Sequence, residues 1–483
     1  MSLTAAAILL VVIAQLVVIF GLVLLERRQP AATLAWVFAV FFIPVLGAAL
    51  YLVFGLRTTI RKSRAAEGIA RRAQEVFARN DLRGPALDLS ALPHLAPLID
   101  LAARVDRAPA SHTNAVAVLK NARATYRAMV EAIEEARHHI HIEFYIIQPD
   151  ETGTALRDLL VRRAREGLEV RVLCDAIGSL RLPSDFFAPL VAVGGHAAFF
   201  APVRIAPRLR RRDHINFRNH RKIVVVDGRF GMTGGINIGR EYLGLDPDIG
   251  AWRDTHLGLE GPAVIALQQT FIEDWLAATG VLLDAPPYFP SPFGGPDGVP
   301  GNAIVQIVAS GPDRPWSLLH RLYALAIAQA RQRVWISSPY FVPDRVIQWA
   351  LTTAALSGVD TRLLVPRRSD SRLVDWASRA YYAELLEAGV RIYEYDRGFL
   401  HAKTMVVDSW CGTIGSANMD IRSFHLNYEL NAFVYEAPCI GELARQFEQD
   451  LEGARELPPT WARDLSYGRR LLHAVAGLLS PLL

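Results

Sequence analysis

The sequence predicts an α/β protein in which two tandem domains, each with a largely parallel or mixed sheet flanked by helices, pack as a pseudo-dimer and follow an N-terminal pair of membrane-crossing helices. Three observations predict it. Residues 1–56 hold two long uncharged runs, the remainder alternates helical with strand-like segments, and much of that alternation occurs twice.

At 483 residues the chain has room for two or three domains, and its 51% hydrophobic share is high for a wholly soluble protein. Cys174, Cys411 and Cys439 are far apart and form no Cys-x-x-Cys pair, which argues against a disulfide framework or a cysteine zinc cluster. A net charge of +4 is small for this length, so the placement of the basic residues matters more than their sum.

Residues 3–25 include no charged side chain, and at ~1.5 Å per residue such a helix crosses the ~30 Å hydrocarbon core. A second uncharged run covers 31–56 after the link Glu26-Arg27-Arg28-Gln29-Pro30. Together they predict a transmembrane hairpin over 1–56, with a kink at Pro44 and Gly47. A cleaved signal peptide fits less well, because no positive n-region precedes the first run and a second span follows it. Beyond the hairpin, Arg57, Arg61, Lys62, Arg64, Arg71 and Arg72 stand against Glu67 alone. The positive-inside rule then puts the body of a multi-pass protein on the cytoplasmic face of the cell (inner) membrane. Residues 57–110 read as a basic juxtamembrane helix and linker.

The repeat begins further on. IEEARHHIHIEFYIIQPD (133–150) runs parallel to IAQARQRVWISSPYFVPD (327–344), each a helix end, a strand and a Pro-Asp turn. GLEVRVLCD from Gly167 matches GVDTRLLVP from Gly358. A turn-rich stretch, 286–302, holds six prolines and four glycines and separates the copies. HRKIVVVDGRFGMTGGIN from His220 returns as HAKTMVVDSWCGTIGSAN from His401, with His, Lys, Asp, Gly and Asn at matched positions.

On a strand, positions i and i+2 share a face, so His220 and Lys222 point together, as do His401 and Lys403. Asp227 and Asp408 fall at odd spacing from their histidines and roughly 16 Å beyond the lysines, which predicts a structural role. Gly234-Gly235 and Gly415-Ser416 allow close backbone approach and bring Asn237 and Asn418 in as amide donors to substrate. If the copies pack face to face, lysines and amides suit phosphate oxygens, one imidazole attacks phosphorus and the other protonates the leaving alcohol. A nucleophilic imidazole must be neutral and oriented, a task for a carboxylate on its other nitrogen. Glu429, 28 residues after His401, and Asp254, 34 after His220, are the candidates. Neither a magnesium carboxylate cluster nor a zinc spacing is found, so no metal or cofactor is expected.

From about 115 to 450 these residues resemble the phospholipase D superfamily, marked by a duplicated His-x-Lys-x4-Asp motif. Within it the chain looks most like the bacterial cardiolipin synthases, through ERRQPAATLAWVFAVFFIPVLGAALYLVFG, NFRNHRK, GFLHAKT and RRLLHAVAGLLSPLL. The resemblance implies tandem phospholipase D-like α/β/α domains at 111–290 and 304–455, a linker at 291–303 and a tail at 456–483. It makes His220, Lys222, Asp227, His401, Lys403 and Asp408 the catalytic set. It implies phosphatidyl transfer between two phosphatidylglycerol molecules, with His220 as nucleophile and His401 as general acid; the near symmetry of the motifs permits the reverse. A phospholipase D-type hydrolase and an idle scaffold for anionic lipid are the rival readings.

The run 204–222 has eight Lys or Arg against Asp213. It is read as solvated surface or as an attractor of anionic lipid, at ~1 kcal/mol per basic residue near a membrane. The hairpin makes nucleic acid an unexpected partner. His138, His139 and His141 are read as strand structure rather than metal ligands. Glu143, Tyr145, Ser338 and Tyr340 end strands that abut the cleft, divided between substrate contact and packing. The tail has helical apolar spacing but is too short to span a bilayer, so it lies on the membrane or packs on the domain.

Overall fold

The computed structural model describes residues 30–51, 87–200, 217–247, 249–290, 301–314 and 316–480, with short pieces before residue 24 and between 68 and 76. It divides into two compact units, Met1–Lys62 and Ser63–Pro481.

In the first unit, helices Pro30–Phe42 and Pro44–Leu50 meet at Ile43, whose φ of −126° and ψ of 70° are not helical. A proline crowds the α region of the residue before it, so the kink expected at Pro44 is a break. Gln15 donates to the carbonyls of Val40 at 3.0 Å and Phe41 at 3.3 Å. Among the described residues no helix is long and apolar enough to cross a membrane. The second expected span, 31–56, is broken at Ile43, and much of the first, 3–25, together with 52–56 lies outside the described residues.

The second unit is built on strands that pair twice in one pattern. The first set is β1 (Ser111–Lys120), β2 (His139–Phe144), β3 (Glu169–Asp175), β4 (His196–Phe200), β5 (Ile223–Val226), β6 (Phe230–Gly234), β7 (Trp252–Arg253) and β8 (Thr255–Glu260). The second is β9 (Ala303–Ser310), β10 (Arg333–Ser337), β11 (Phe341–Val342), β12 (Asp360–Pro366), β13 (Arg391–Tyr395), β14 (Phe399–Leu400), β15 (Thr404–Val407), β16 (Cys411–Gly415), β17 (Met419–Asp420), β18 (Glu429–Tyr435) and β19 (Ala454–Glu456). Fifteen of them form one sheet in the order β19-β13-β12-β10-β15-β16-β18-β9-β1-β8-β6-β5-β2-β3-β4. Read outward from the antiparallel β9-β1 seam, the two wings match strand for strand, apart from the extra edge strand β19. The sheet is mixed: β2, β3 and β4 run parallel, while β5, β6 and β8 are antiparallel.

Helices cover both faces, and the strands are accordingly apolar on both sides. Val225 and Val406 join Phe271, Ile307, Leu430 and Leu443 in a core that crosses the seam. Their neighbours Val224 and Val226 pack instead with Met129, Ile133 and Leu160, and Met405 and Val407 with Leu322, Ile347 and Phe433. Both Pro-Asp turns become helix caps: Asp150 accepts from the Gly153 N–H at 3.0 Å and Asp344 from that of Ile347 at 3.1 Å.

Candidate active site

His220 and His401 stand in extended segments that lead into β5 and β15. Each segment is docked in parallel against the other half. Asn219 bridges Tyr428, and the His220 N–H donates to the Tyr428 carbonyl at 2.9 Å. Correspondingly β14 pairs with β7, and the His401 N–H donates to the Arg253 carbonyl at 2.7 Å. Tyr428 is followed by Glu429 and Arg253 by Asp254, so each histidine meets a carboxylate from the opposite half. His220 Nδ1 lies 3.0 Å from Glu429 Oε2, and His401 Nδ1 lies 2.7 Å from Asp254 Oδ2. The sequence named both carboxylates without pairing them; the structure pairs them crosswise, Glu429 with His220 and Asp254 with His401.

The lysines lie as strand parity requires. Lys222 Nζ donates to the His220 carbonyl at 2.6 Å, and Lys403 Nζ to that of His401 at 2.7 Å. Lys403 Nζ is also 3.0 Å from both ring nitrogens of His401. Burial depresses both lysines, Lys222 to about 7 and Lys403 to about 8. Burial and the lysine charges also lower the histidines, His401 to about 4, against the pull of the carboxylates. Burial pushes Asp254 and Glu429 up, but the facing His and Lys groups outweigh it and hold both below the usual carboxylate range. Near neutral pH the resting cleft thus holds two neutral imidazoles, each fixed at Nδ1 by an ionised carboxylate, with the Lys403 ammonium also against Nε2 of His401.

The motif aspartates sit at the far ends of their strands. Asp227 accepts the backbone N–H groups of Arg137, His138 and His139 at 2.7–2.8 Å, and Asp408 those of Arg331, Gln332 and Arg333 at 2.7–3.0 Å. Both occupy left-handed backbone, φ 53° and 50°. Although they belong to the resemblance's catalytic set, their contacts tie hairpins to β2 and β10. Asn237 accepts from the Ile146 N–H at 3.2 Å and donates to the Tyr242 hydroxyl at 3.2 Å, so its amide serves the fold. Asn418 is 6% exposed, and its Oδ1 has no partner among the described residues.

The Gly-Gly turn has a sharper purpose than close backbone approach. A Cβ on Gly235 would stand 2.2 Å from Asp254 Oδ1. At the matching position in the other half, Ser416 donates to Glu429 Oε2 at 2.5 Å, and Asn427 donates to Oε1 at 3.1 Å. Asn427 and Arg221 were not singled out from sequence, and Ser416 was named only as part of the Gly415-Ser416 turn. Arg221 is buried, with its guanidinium on Asp274 at 2.5 Å, the Ser310 carbonyl at 2.9 Å and the Glu429 carbonyl at 3.2 Å. A signal existed in its place between two residues of one face, which turns it toward the other half.

The basic run is corrected where it is described. Arg218 pairs with Asp175 at 3.2 Å, and Arg221 and Lys222 are buried, so this end is not solvated surface; 204–216 lie outside the described residues. Glu143 is buried against Asn219 at 2.6 Å, and the Tyr145 ring lies 4.9 Å from that of His220. Ser338 bonds the Tyr340 carbonyl, and the Tyr340 hydroxyl donates to Asp370, both at 2.7 Å. His139 and His141 are buried around Gln268.

A family model described as cardiolipin synthase, PLD-like domain, matches residues 129–275 and 323–451, and one described as phospholipase D-nuclease N-terminal matches 9–55. The cardiolipin synthase of Geobacillus thermodenitrificans is 44% identical over 464 residues, covering 95% of this chain and 90% of its own. The major cardiolipin synthase ClsA of Bacillus subtilis is 39% identical over 472 residues, covering 95% of each chain. The crystal structure of phosphatidylserine synthase from Haemophilus influenzae shares the fold, with a TM-score of 0.61, 15% identity, and coverage of 80% of this chain and all of that one. With both His-Lys pairs intact and the relatives matching nearly end to end, the chain belongs to the cardiolipin synthase family of the phospholipase D superfamily.

Proposed function

We propose that this protein is a phosphatidyltransferase that makes cardiolipin from two molecules of phosphatidylglycerol. The observation that carries the reading is the crossed pair of carboxylate-held histidines, which gives one site two imidazoles of the same reach. His220 Nε2 attacks the phosphorus of the first lipid, and the P–O bond to glycerol breaks. The departing oxygen takes a proton from His401, leaving glycerol and a phosphatidyl-His220 intermediate. Neutral His401 then removes a proton from the glycerol hydroxyl of the second lipid, whose oxygen displaces His220 and forms cardiolipin. The phosphodiester anion raises the His401 pKa as it enters, which supplies the proton that the resting site lacks. Lys222, Lys403 and Asn418 hold the non-bridging oxygens. Asp227, Asp408 and Asn237 act by positioning. No cofactor enters.

We assign residues 111–290 and 304–455 to the two phospholipase D-like domains, and 1–56 to a membrane hairpin that keeps the body at the cytoplasmic face. Supporting it are the uncharged runs and the exposed Leu34, Phe38, Phe41, Phe42 and Leu46. The helix Tyr467–Leu478 likewise exposes Tyr467, Leu471, Val475 and Leu478, as a tail lying on lipid requires. Purified full-length protein given phosphatidylglycerol alone should yield equal amounts of cardiolipin and glycerol. Phosphatidic acid would instead indicate the hydrolase, and no conversion the idle scaffold.

A further inference from the structure

Three side chains with no part in the cleft chemistry converge where the helix Arg345–Leu356 begins. His320 Nε2 is 3.0 Å from one Asp344 oxygen and His425 Nε2 is 3.9 Å from the other. One ligand atom from each lies within 4.8 Å of the rest. They come from three separate elements: the helix Leu318–Gln329, the helix cap, and the short helix Ile421–His425. Ser317 Oγ, 3.0 Å from His425 Nδ1, turns the other ring nitrogen toward Asp344. Ser317 holds left-handed backbone, φ 46° and ψ 60°, in that position.

The repeat supplies an internal control. Its register sets Tyr126 opposite His320 and Asp150 opposite Asp344. Asp150 also caps its helix, but its second oxygen accepts the Arg240 N–H at 2.7 Å, and Tyr126 donates to the Asn237 carbonyl at 2.6 Å. The first half closes this corner with ordinary hydrogen bonds, so capping alone does not call for two imidazoles. The second half puts two nitrogen ligands and a carboxylate there instead.

We propose that His320, Asp344 and His425 bind a divalent transition-metal ion of the zinc class as a structural clamp. A tetrahedral ion bonded at about 2.0–2.1 Å holds its ligand atoms about 3.3 Å apart, between the two separations observed. Two imidazoles and one carboxylate are the ligand types such ions take, and the Ser317 hydroxyl is the outer partner that fixes a ligating ring. The side chains are 11%, 22% and 29% exposed, which leaves a path for the ion and a position for water. His425 lies two residues before Asn427 and four before Glu429, so the clamp pins the corner on which His220 depends.

Full-length protein in detergent, stripped with chelator, reloaded with zinc and desalted, should retain about one zinc per chain by elemental analysis. The zinc should be lost in His320→Ala and in His425→Gln, which keeps a polar contact to Ser317, and kept in His138→Ala, which probes the other histidine-rich corner. Zinc should raise the unfolding temperature of the unaltered protein and not that of the two site variants. Less than about half an equivalent in the unaltered protein, or equal retention in His425→Gln, overturns the proposal.

Discussion

The two His-Lys motifs carry the same chemistry on unlike foundations. Between His220 and Lys222 stands Arg221, a buried cation clamped to Asp274 and to the Ser310 and Glu429 carbonyls; between His401 and Lys403 stands only Ala402. Around the second motif two aromatic rings pack on the imidazole, Trp252 at 5.0 Å and Phe399 at 5.8 Å from His401, where His220 has Tyr145 at 4.9 Å. The carboxylates differ likewise: Glu429 is held by Ser416 and Asn427, whereas Asp254 occupies the space that Gly235 leaves open. Duplication thus preserved the reacting groups and their crossed exchange, while each half found its own way to hold them. Neither half can orient its histidine without the other.

The largest test removes that common ground. His220→Ala and His401→Ala should each reduce cardiolipin formation by roughly 10³-fold or more. Only the variant that retains the nucleophile can still trap a phosphatidyl group; if His220 is that nucleophile, mass analysis finds the adduct in His401→Ala. Substantial turnover in either variant would end the paired-histidine reading.

Next come the crossed carboxylates. Glu429→Gln and Asp254→Asn should each lose roughly 10²–10⁴-fold, since the amide keeps the shape but no longer stabilises an imidazolium. If the crossing is right, Glu429→Gln adds little to His220→Ala yet compounds with a partial His401 variant.

The pH profile separates lysines from histidines. Lys222 and Lys403 titrate at about 7 and about 8, so kcat/KM should fall as pH rises through that range and the phosphate loses its cations. It should fall again on the acid side as the nucleophile His220, whose pKa burial holds below the usual histidine range, takes up a proton and can no longer attack phosphorus. Activity flat from pH 4 to 10, measured with lipid at constant surface concentration, contradicts this cleft.

Arg221→Ala probes the asymmetry itself. It strands Asp274 in the interior and should lower stability by about 3–5 kcal/mol by denaturant unfolding. No comparable penalty attends a small change at Ala402. Smallest in effect on chemistry, Asp227→Asn should leave turnover within about tenfold while lowering stability by roughly 1–3 kcal/mol, because the loss falls on backbone donors far from the phosphate.

Local periodicity made much of this readable. The shared face of His220 and Lys222 follows from the two-residue period of an extended chain, whereas Asp227 lies just past β5 in left-handed backbone, where that period no longer applies. The repeat showed that the arrangement occurs twice, and the Pro-Asp turns were legible as turns, though their role as helix caps came only from the structure. What the sequence could not show was which carboxylate serves which histidine. Glu429 is 209 positions from His220 and Asp254 is 147 from His401. Those contacts are set by how the segments ending in Asn219 and Leu400 dock on the facing half, a matter of tertiary register. For the same reason Arg218 and Arg221, basic letters in a basic run, proved to be interior ion-pair partners. Residue type and spacing determined the chemistry available to this chain; only the meeting of its two halves decided how that chemistry is held.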